Sequence, residues 1–178
     1  MEFSYEIKIP KMRTAVLIGK KGEIKKRLKQ ETGTDVIIDS AEGIVTVSGD
    51  DAISLMDAQN IIKAIARGFN PEIAFLLLKP DYAFEIIDLG SIARNKNDLI
   101  RLRGRVIGFK GKSRKTIEDL TETNISVFGK TICIIGEISN VNNCKRAISQ
   151  LIKGGKHANV FKFLEKQKKM NLFSEENF

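Results

Sequence analysis

Val16-Leu17-Ile18-Gly19-Lys20-Lys21-Gly22 and Arg105-Val106-Ile107-Gly108-Phe109-Lys110-Gly111 are two versions of one segment in a chain of 178 residues. The offset from Gly19 to Gly108 is 89 positions. The same offset aligns further residues of the two halves, namely Leu28 with Ile117, Thr32 with Thr121, Thr34 with Thr123 and Val36 with Ile125. Each copy takes up about half of the chain, so the repeat predicts two whole domains and not a solenoid of short units.

Both copies predict the same order of elements: strand, helix, helix, strand, strand, helix. Alternating apolar residues indicate strands, and apolar residues three or four apart indicate helices. The elements are predicted over residues 3–9, 11–18, 23–31, 35–39, 44–48 and 50–67 in the first copy, and over 82–89, 97–107, 113–121, 125–128, 131–135 and 139–153 in the second. The fold class is therefore α+β.

Three segments follow from this order. We expect a first domain over residues 1–69 and a second over 70–155, in which 70–80 is an inter-domain passage starting at Asn70-Pro71. Proline disfavours continuation of the preceding helix, which supports the boundary. Residues 156–178 form a basic C-terminal tail that we expect to be partly helical.

The chain is basic. It carries 30 Lys and Arg against 22 Asp and Glu, a net charge of +8, which favours an anionic partner such as nucleic acid but would suit an anionic membrane surface equally well. No segment approaches the roughly 18 consecutive apolar residues of a membrane span. The first residues lack the charged and apolar regions of a signal peptide, so we expect a cytoplasmic protein.

Residues for catalysis or metal binding are scarce. Cys133 and Cys144 are too few for a zinc site and are interpreted as core residues, while His157, the single histidine, is expected in a solvated loop. The sequence from Gly108 to Ser113 ends in Gly-Lys-Ser but has Val106 where a P-loop needs its first glycine. We therefore predict no cofactor, no metal and no catalytic centre.

The two glycine-bracketed turns predict contact with phosphate. Glycines let the main chain approach an anion closely, and each turn leads into a helix N-terminus, whose free N–H groups favour negative charge. Lys21 and Lys110 add a positive charge within the turn. The basic edge continues beyond each turn, through Lys25, Lys26 and Arg27 in the first copy and Lys112, Arg114 and Lys115 in the second. The alternative for a single such turn is a tight connection between helices.

Three arginines precede the second turn: Arg101, Arg103 and Arg105. Residues four apart share a helix face, so Arg101 and Arg105 are expected to point together. They form either a solvated face or additional phosphate contacts, and the residues alone leave both interpretations open.

Ile18-Gly19-x-x-Gly22 and Ile107-Gly108-x-x-Gly111, each between two helices, resemble the KH domain of the eukaryotic type, type I. The resemblance implies a three-stranded antiparallel sheet packed on helices, and a groove that holds about four unpaired nucleotides of single-stranded RNA. It also implies that bases lie on aliphatic residues, with Leu28 and Ile117 assigned to the core, while Phe109 is either an RNA contact or a local anchor. The expected RNA-binding residues are Ile18, Gly19, Lys20, Lys21, Gly22, Lys25 and Ile37 in the first copy, and Arg101, Arg103, Arg105, Ile107, Gly108, Phe109, Lys110, Gly111, Lys112 and Arg114 in the second.

The whole chain is similar to archaeal two-KH proteins related to the eukaryotic small-subunit rRNA processing factors of the partner-of-Nob and Krr types. The similarity lies in both turns, in Arg114-Lys115-Thr116-Ile117-Glu118 and in Gly68-Phe69-Asn70-Pro71-Glu72. It implies a ribosome-assembly factor that binds near the 3′ end of small-subunit rRNA. The implied protein partners are the 3′-end endonuclease and the alpha subunit of a translation initiation factor. The alternatives are a scaffold that links ribosome or translation-initiation components, and a substrate-capture subunit of an RNA-processing enzyme.

Overall fold

The first unit has the predicted order of elements. A computed structural model describes residues 2–177 and divides them into two compact units, which meet in sequence after Pro80. The elements of the first unit are β1 (Phe3–Lys8), α1 (Lys11–Ile18), α2 (Glu23–Thr32), β2 (Asp35–Asp39), β3 (Ile44–Gly49) and α3 (Ala52–Ala66). Predicted and observed bounds differ by two residues at most, because glycines and prolines mark most of the ends.

The sheet of the first unit has the strand order β1-β3-β2, and both pairings are antiparallel. Val47 of the central strand lies opposite Tyr5 on one side and Val36 on the other. Val45 and Val47 are fully buried, as are Leu17 and Leu28 of the first two helices. This arrangement confirms the predicted three-stranded sheet packed on helices.

The second unit repeats the architecture and ends in a longer helix. Its elements are β4 (Tyr82–Asp88), α5 (Lys96–Ile107), α6 (Lys112–Thr121), β5 (Asn124–Phe128), β6 (Thr131–Glu137), α7 (Ile138–Ile152) and α8 (His157–Glu176). The strand order is β4-β6-β5, again antiparallel throughout. Cys133 and Cys144 are both buried, and burial raises the pKa of the Cys144 thiol to about 11. Their predicted place in the core is confirmed.

A threonine pair recurs where the sequence repeat predicted equivalence. The Thr32 hydroxyl donates to the Leu28 carbonyl at 2.7 Å and lies 2.7 Å from the Thr34 hydroxyl. Thr121 and Thr123 form the same pair at 2.8 Å, with Thr121 donating to the Ile117 carbonyl at 2.7 Å. All four threonines are buried. The two units therefore share their internal hydrogen bonds as well as their backbone course.

The segment predicted as an inter-domain passage belongs to the first unit. It forms α4 (Pro71–Ala74) and a single 3-10 turn, Phe75–Leu78, both packed against α3. Phe75 is buried, and the Arg27 guanidinium lies 4.0 Å from the centre of its ring. This differs from the predicted boundary at residue 70, because the apolar side chains of the segment complete the core of the first unit.

The C-terminal tail is helical, as expected, but it is not separate from the second unit. Helix α8 packs on α6 and α7, and its residues Val160 and Leu164 join the core. His157 begins this helix, is half-buried, and its Nε2 lies 2.7 Å from the Arg105 carbonyl. The expectation of a solvated loop histidine was therefore wrong. Within residues 2–177, no helix is both long enough and apolar enough to cross a bilayer.

Candidate nucleic-acid interface

The two glycine-bracketed turns have the same backbone conformation. In the first, Gly19 has φ 77° and ψ 172°, Lys21 has φ 55° and Gly22 has φ 77°. In the second, φ is 72° at Gly108, 53° at Lys110 and 75° at Gly111. A lysine in the left-handed region is uncommon, and its occurrence in both copies shows that the turn presents the same main-chain shape twice.

The two glycines of each turn serve different purposes. A Cβ on Gly19 would lie 2.5 Å from Ile24 Cγ1 and 2.8 Å from the Ile24 nitrogen, and a Cβ on Gly108 would lie 2.6 Å from Ser113 Cβ. The first glycine therefore lets the turn pack directly on the following helix. Gly22 and Gly111 have no atom within 4 Å of a built Cβ, so the second glycine supplies a left-handed conformation and an open surface.

Each turn leads directly into a helix whose N-terminus has no side-chain cap. Helices α2 and α6 begin directly after their turns, so Gly22 and Gly111 are their N-cap residues. In the described chain, no side chain makes a capping hydrogen bond at either N-terminus. Free N–H groups and the positive end of the helix dipole favour an anion there. The Ser113 hydroxyl, in the first turn of α6, is buried and has no hydrogen-bond partner within residues 2–177.

Exposed cations surround both turns. Lys20, Lys21, Lys25 and Lys26 are exposed at the first turn. Lys110, Lys112 and Arg114 are exposed at the second. Within the described chain, none of these seven residues forms an ion pair, so all of them are available to phosphate oxygens.

Other predicted members of the basic edge have partners inside the protein. Arg27 pairs with Glu31 at 2.5 Å and with Glu72 at 3.0 Å, and the hydrogen bond that Arg27 donates to Glu31 raises the pKa of Arg27. Arg27 therefore ties α2 to the segment that follows α3. Lys115 lies 4.0 Å from Asp119, which leaves Lys25, Lys26, Lys112 and Arg114 as the free part of the edge.

The three arginines before the second turn do not form one face. Arg101 donates to Asp98 Oδ1 at 2.9 and 2.7 Å, while Arg105 donates to the Leu151 carbonyl at 2.7 Å and to the Gly155 carbonyl. Arg105 thus fastens the end of α7 and the start of α8, which differs from the prediction that it points with Arg101. Arg103 is half-buried, and its Nε is buried with no partner in the described chain.

A groove of about 470 Å³ lies beside the first turn, between α2 and the edge strand β2. Its lining joins cationic and apolar residues, namely Gly22, Lys25, Lys26, Lys29, Asp35, Val36 and Ile37. Ile37 is 68% exposed, which suits an aliphatic surface for a base. Ile18 is half-buried. The structure thus brings Gly22, Lys25 and Ile37 together, as the resemblance implied.

The corresponding face of the second unit differs in chemistry. Glu118 takes the position of Lys29, and its Oε1 accepts from the N–H of Ile125 on the edge strand β5 at 2.8 Å. Ser126 takes the place of Ile37 and is half-buried, as is Ile107. Phe109 is 74% exposed, and the Lys110 ammonium lies 5.3 Å from the centre of its ring. The side chain of Phe109 therefore faces solvent and is no local anchor.

Sequence reasoning missed the ion pair on the wall of the first groove. Lys29 Nζ lies 2.5 Å from Asp35 Oδ1, and both residues line the groove. The two residues belong to a helix and a strand whose relative register cannot be derived from apolar periodicity. Leu28 and Ile117, assigned to the core, are fully buried, which confirms that prediction.

Comparison with known proteins agrees with this geometry. Residues 4–64 match the KH domain, and residues 83–169 match the eukaryotic-type KH domain, type I. The chain is 46% identical over 166 residues to the KH domain-containing protein MJ0443 of Methanocaldococcus jannaschii, an alignment that spans 91% of this chain and 73% of that protein. The chain belongs to the KH-domain family.

Further relatives of this KH protein are known by sequence and by structure. It is 34% identical over 113 residues to the RNA-binding protein PNO1 of Oryzias latipes, across 62% of this chain and 46% of that one. The crystal structure of Dim2p from Pyrococcus horikoshii superposes with a TM-score of 0.85 at 42% identity, over 92% of this chain and 99% of that chain. A chain in the a/eIF2alpha-aDim2p-rRNA complex of the same organism gives 0.87 at 42% identity, over 94% and 95% of the two chains.

Proposed function

We propose that this protein binds single-stranded RNA and acts as a ribosome-assembly factor near the 3′ end of small-subunit rRNA. The observation that carries the proposal is the pair of turns with the same backbone conformation, each with exposed lysines that form no ion pair in the described chain and a helix N-terminus without a side-chain cap. Phosphates of one RNA strand would contact the turns, and bases of the strand would enter the groove at Ile37.

The RNA-binding residues of the proposal are those that the structure leaves free. In the first unit they are Ile18, Gly19, Lys20, Lys21, Gly22, Lys25 and Ile37, with Lys26 added by its place in the groove. In the second they are Ile107, Gly108, Phe109, Lys110, Gly111, Lys112 and Arg114. Arg101, which pairs with Asp98, and Arg103, whose Nε is buried, stay at the margin of the proposal. Arg105 is left out because its guanidinium binds two carbonyls of the protein.

The comparisons support this choice of RNA and of partners. A similar chain was crystallised with a/eIF2alpha and rRNA, and a sequence relative is an RNA-binding protein. We therefore propose the alpha subunit of a translation initiation factor as a protein partner. The rRNA 3′-end endonuclease is proposed as a second partner on the sequence resemblance alone. The protein would act in the cytoplasm, without a cofactor and without catalysis of its own. Cleavage of labelled RNA by the purified protein with Mg²⁺ would contradict the last point.

Charge reversal in the turns tests the proposal. Lys20→Asp with Lys21→Asp, and separately Lys110→Asp, should each weaken binding to an RNA with the 3′-end sequence of small-subunit rRNA by at least about tenfold, because a phosphate contact becomes a repulsion. Lys63→Asp is the matched control, since Lys63 is exposed on α3 and belongs to neither turn. Equal losses in all three variants, measured by fluorescence anisotropy with the fold checked by circular dichroism, would defeat the proposal.

A further inference from the structure

Strand β1 is an open sheet edge with exposed apolar side chains. It lies at one end of the order β1-β3-β2. Phe3 is 37% exposed and Tyr5 is 51% exposed. Natural edge strands are usually protected by proline, by a bulge or by a covering element, because unpaired backbone groups can pair with another strand. Strand β1 contains no proline, its register with β3 is unbroken, and five of its six residues are exposed.

The backbone of β1 points outward at its even-numbered residues. Ile9 donates its N–H to the Gly43 carbonyl at 2.8 Å, in continuation of the register that pairs Tyr5 with Val47. In an antiparallel pair, the residues that bond to one neighbour alternate with those that face the other side. The N–H and C=O groups of Ser4, Glu6 and Lys8 are therefore directed away from the sheet.

Helix α3 adds apolar surface at the same corner of the unit. Ile53 is 70% exposed and Met56 is 57% exposed. Helix α3 begins three residues after Gly49, which lies opposite Phe3. In the second unit, alignment of the buried positions of α3 and α7 places Ser139 and Asn142 at these two sites. The apolar character of these two helix positions is therefore particular to the first unit, although Ile138 at the start of α7 is 53% exposed.

The equivalent edge of the second unit is protected. Strand β4 is mostly half-buried, and Lys145 of α7 pairs with Glu85 of this strand at 2.5 Å. Glu2, Glu6 and Lys8, at the edge of the first unit, form no ion pair within the described residues. The edge of the first unit thus combines the unpaired backbone groups of any edge strand with free charges and exposed aromatic residues.

We propose that β1 pairs antiparallel with β1 of a second copy of this chain, which joins two three-stranded sheets into one of six strands. The register follows from the outward residues and from charge. With Tyr5 opposite Tyr5 of the partner subunit, Ser4 faces Glu6 of the partner subunit in a hydrogen-bonded pair, and Phe3 faces Ile7 of the partner subunit.

Charge complementarity selects this register over its neighbour. Glu2 lies opposite Lys8 of the partner subunit, and the two-fold axis repeats that ion pair at the other end. A register centred on Glu6 would place two carboxylates directly opposite each other, which is unfavourable. The apolar residues Phe3, Tyr5 and Ile7 then share the helix-facing side of the sheet, the side that carries Val45 and Val47.

Sedimentation equilibrium over a concentration series tests the association. The unmodified full-length chain should show a monomer–dimer equilibrium. Lys8→Glu should raise the dimer dissociation constant by roughly tenfold, because two attractive cross-strand pairs become repulsive. Glu2→Lys combined with Lys8→Glu should restore it. A chain that stays monomeric at every concentration, or a double variant as weak as the single one, would overturn the proposal.

Disulfide trapping tests the register and does not depend on the strength of association. The natural cysteines are both buried, so Tyr5→Cys would place the one exposed thiol on the two-fold axis. Cα atoms in a non-hydrogen-bonded antiparallel pair lie about 4.5 Å apart, within reach of a disulfide. Ser4→Cys is the control, because the two Ser4 positions lie diagonally, beyond the roughly 7 Å limit.

Oxidation should give a covalent dimer of Tyr5→Cys and little of Ser4→Cys. Equal yields from the two variants would contradict the register, and no dimer from either would contradict the pairing. RNA binding should be measured on the same variants, so that failure of the dimer proposal can be distinguished from failure of the RNA-binding proposal. Both substitutions lie outside the turns and the groove and should leave RNA affinity unchanged.

Discussion

At the scale of single residues, the function depends on a backbone shape that few side chains tolerate. Gly19 and Gly108 combine φ near 75° with ψ near 180°, a region that is essentially restricted to glycine. Lys21 and Lys110 adopt the left-handed conformation at a cost of about 1 kcal/mol each. This conformation leaves the side chains of Lys21 and Lys110 exposed to solvent.

The two glycines of one turn should respond differently to alanine. Gly22→Ala should lower the free energy of unfolding by about 1 kcal/mol, since the left-handed conformation is strained but space is open. Gly19→Ala should cost at least about 3 kcal/mol, because the added Cβ would meet the start of α2 in a conformation that alanine avoids. Urea denaturation measures both losses. Equal losses would contradict the distinct purposes assigned to the two glycines.

At the scale of elements, the helix ends explain why the two units differ. Helix α2 ends at Gly33 with φ 68°, whereas α6 ends at Glu122 with φ 53° at the equivalent position. Helix α8 is far longer than α4 (Pro71–Ala74), which follows α3 in the first unit, and its buried side chains are Val160 and Leu164. The long-range hydrogen bonds are shared, since Arg13 donates to the carbonyls of Ile65 and Phe69 as Arg105 does to those of Leu151 and Gly155. Local capping and the length of the final helix thus distinguish the units.

Glu122→Gly should stabilise the second unit by about 0.5–1 kcal/mol, because glycine adopts the left-handed conformation without the strain that a side chain causes. Gly33→Glu is the matched variant and should lose a similar amount in the first unit. Thermal unfolding followed by circular dichroism checks both changes. A loss of stability in Glu122→Gly would indicate that a contact of the carboxylate stabilises the unit by more than the left-handed conformation of Glu122 costs.

Arg105→Ala should destabilise the second unit by about 2 kcal/mol and release α8, because carbonyls of Leu151 and Gly155 lose a charged donor. Hydrogen exchange should speed up in α8 first. Exchange at the unmodified rate in Arg105→Ala would contradict its assigned contacts.

Arg114→Ala is the opposite case. Arg114 is exposed and forms no ion pair in the described chain, so the affinity for RNA should fall while the free energy of unfolding stays unchanged.

At the scale of the whole molecule, charge and repetition act together. The net charge of +8 attracts RNA without regard to sequence, and under the proposed function the two turns would place part of that charge at defined phosphates. Two weak contacts with single-stranded RNA would reinforce each other when both belong to one chain, because the first contact holds the RNA at a high effective concentration near the second. This requires an RNA long enough to reach both contacts. Duplication is therefore a direct route to tight binding.

Affinity for single-stranded RNA should fall with salt, and each turn should contribute its own share of the slope. Lys21→Ala and Lys110→Ala should each reduce the slope of log affinity against log salt by about 0.7, and the double variant by about 1.4, because each lysine releases the counterions of about one phosphate. Fluorescence anisotropy between low and moderate salt measures this. A slope that stays unchanged while affinity falls equally at every salt concentration would argue against phosphate contact.

The repeat, the element order and the two turns were all predictable from residue order, because glycine conformation, helix periodicity and strand alternation are local properties. The fold class, the family and residues such as Gly19, Lys21 and Lys110 follow from them. The partners of individual side chains are not local. Arg105 binds carbonyls 46 and 50 residues away, and Phe75 is buried in the first unit, where its segment packs against α3. Such contacts depend on how elements dock in three dimensions, and that docking separates the cations available to RNA from those that hold the protein together.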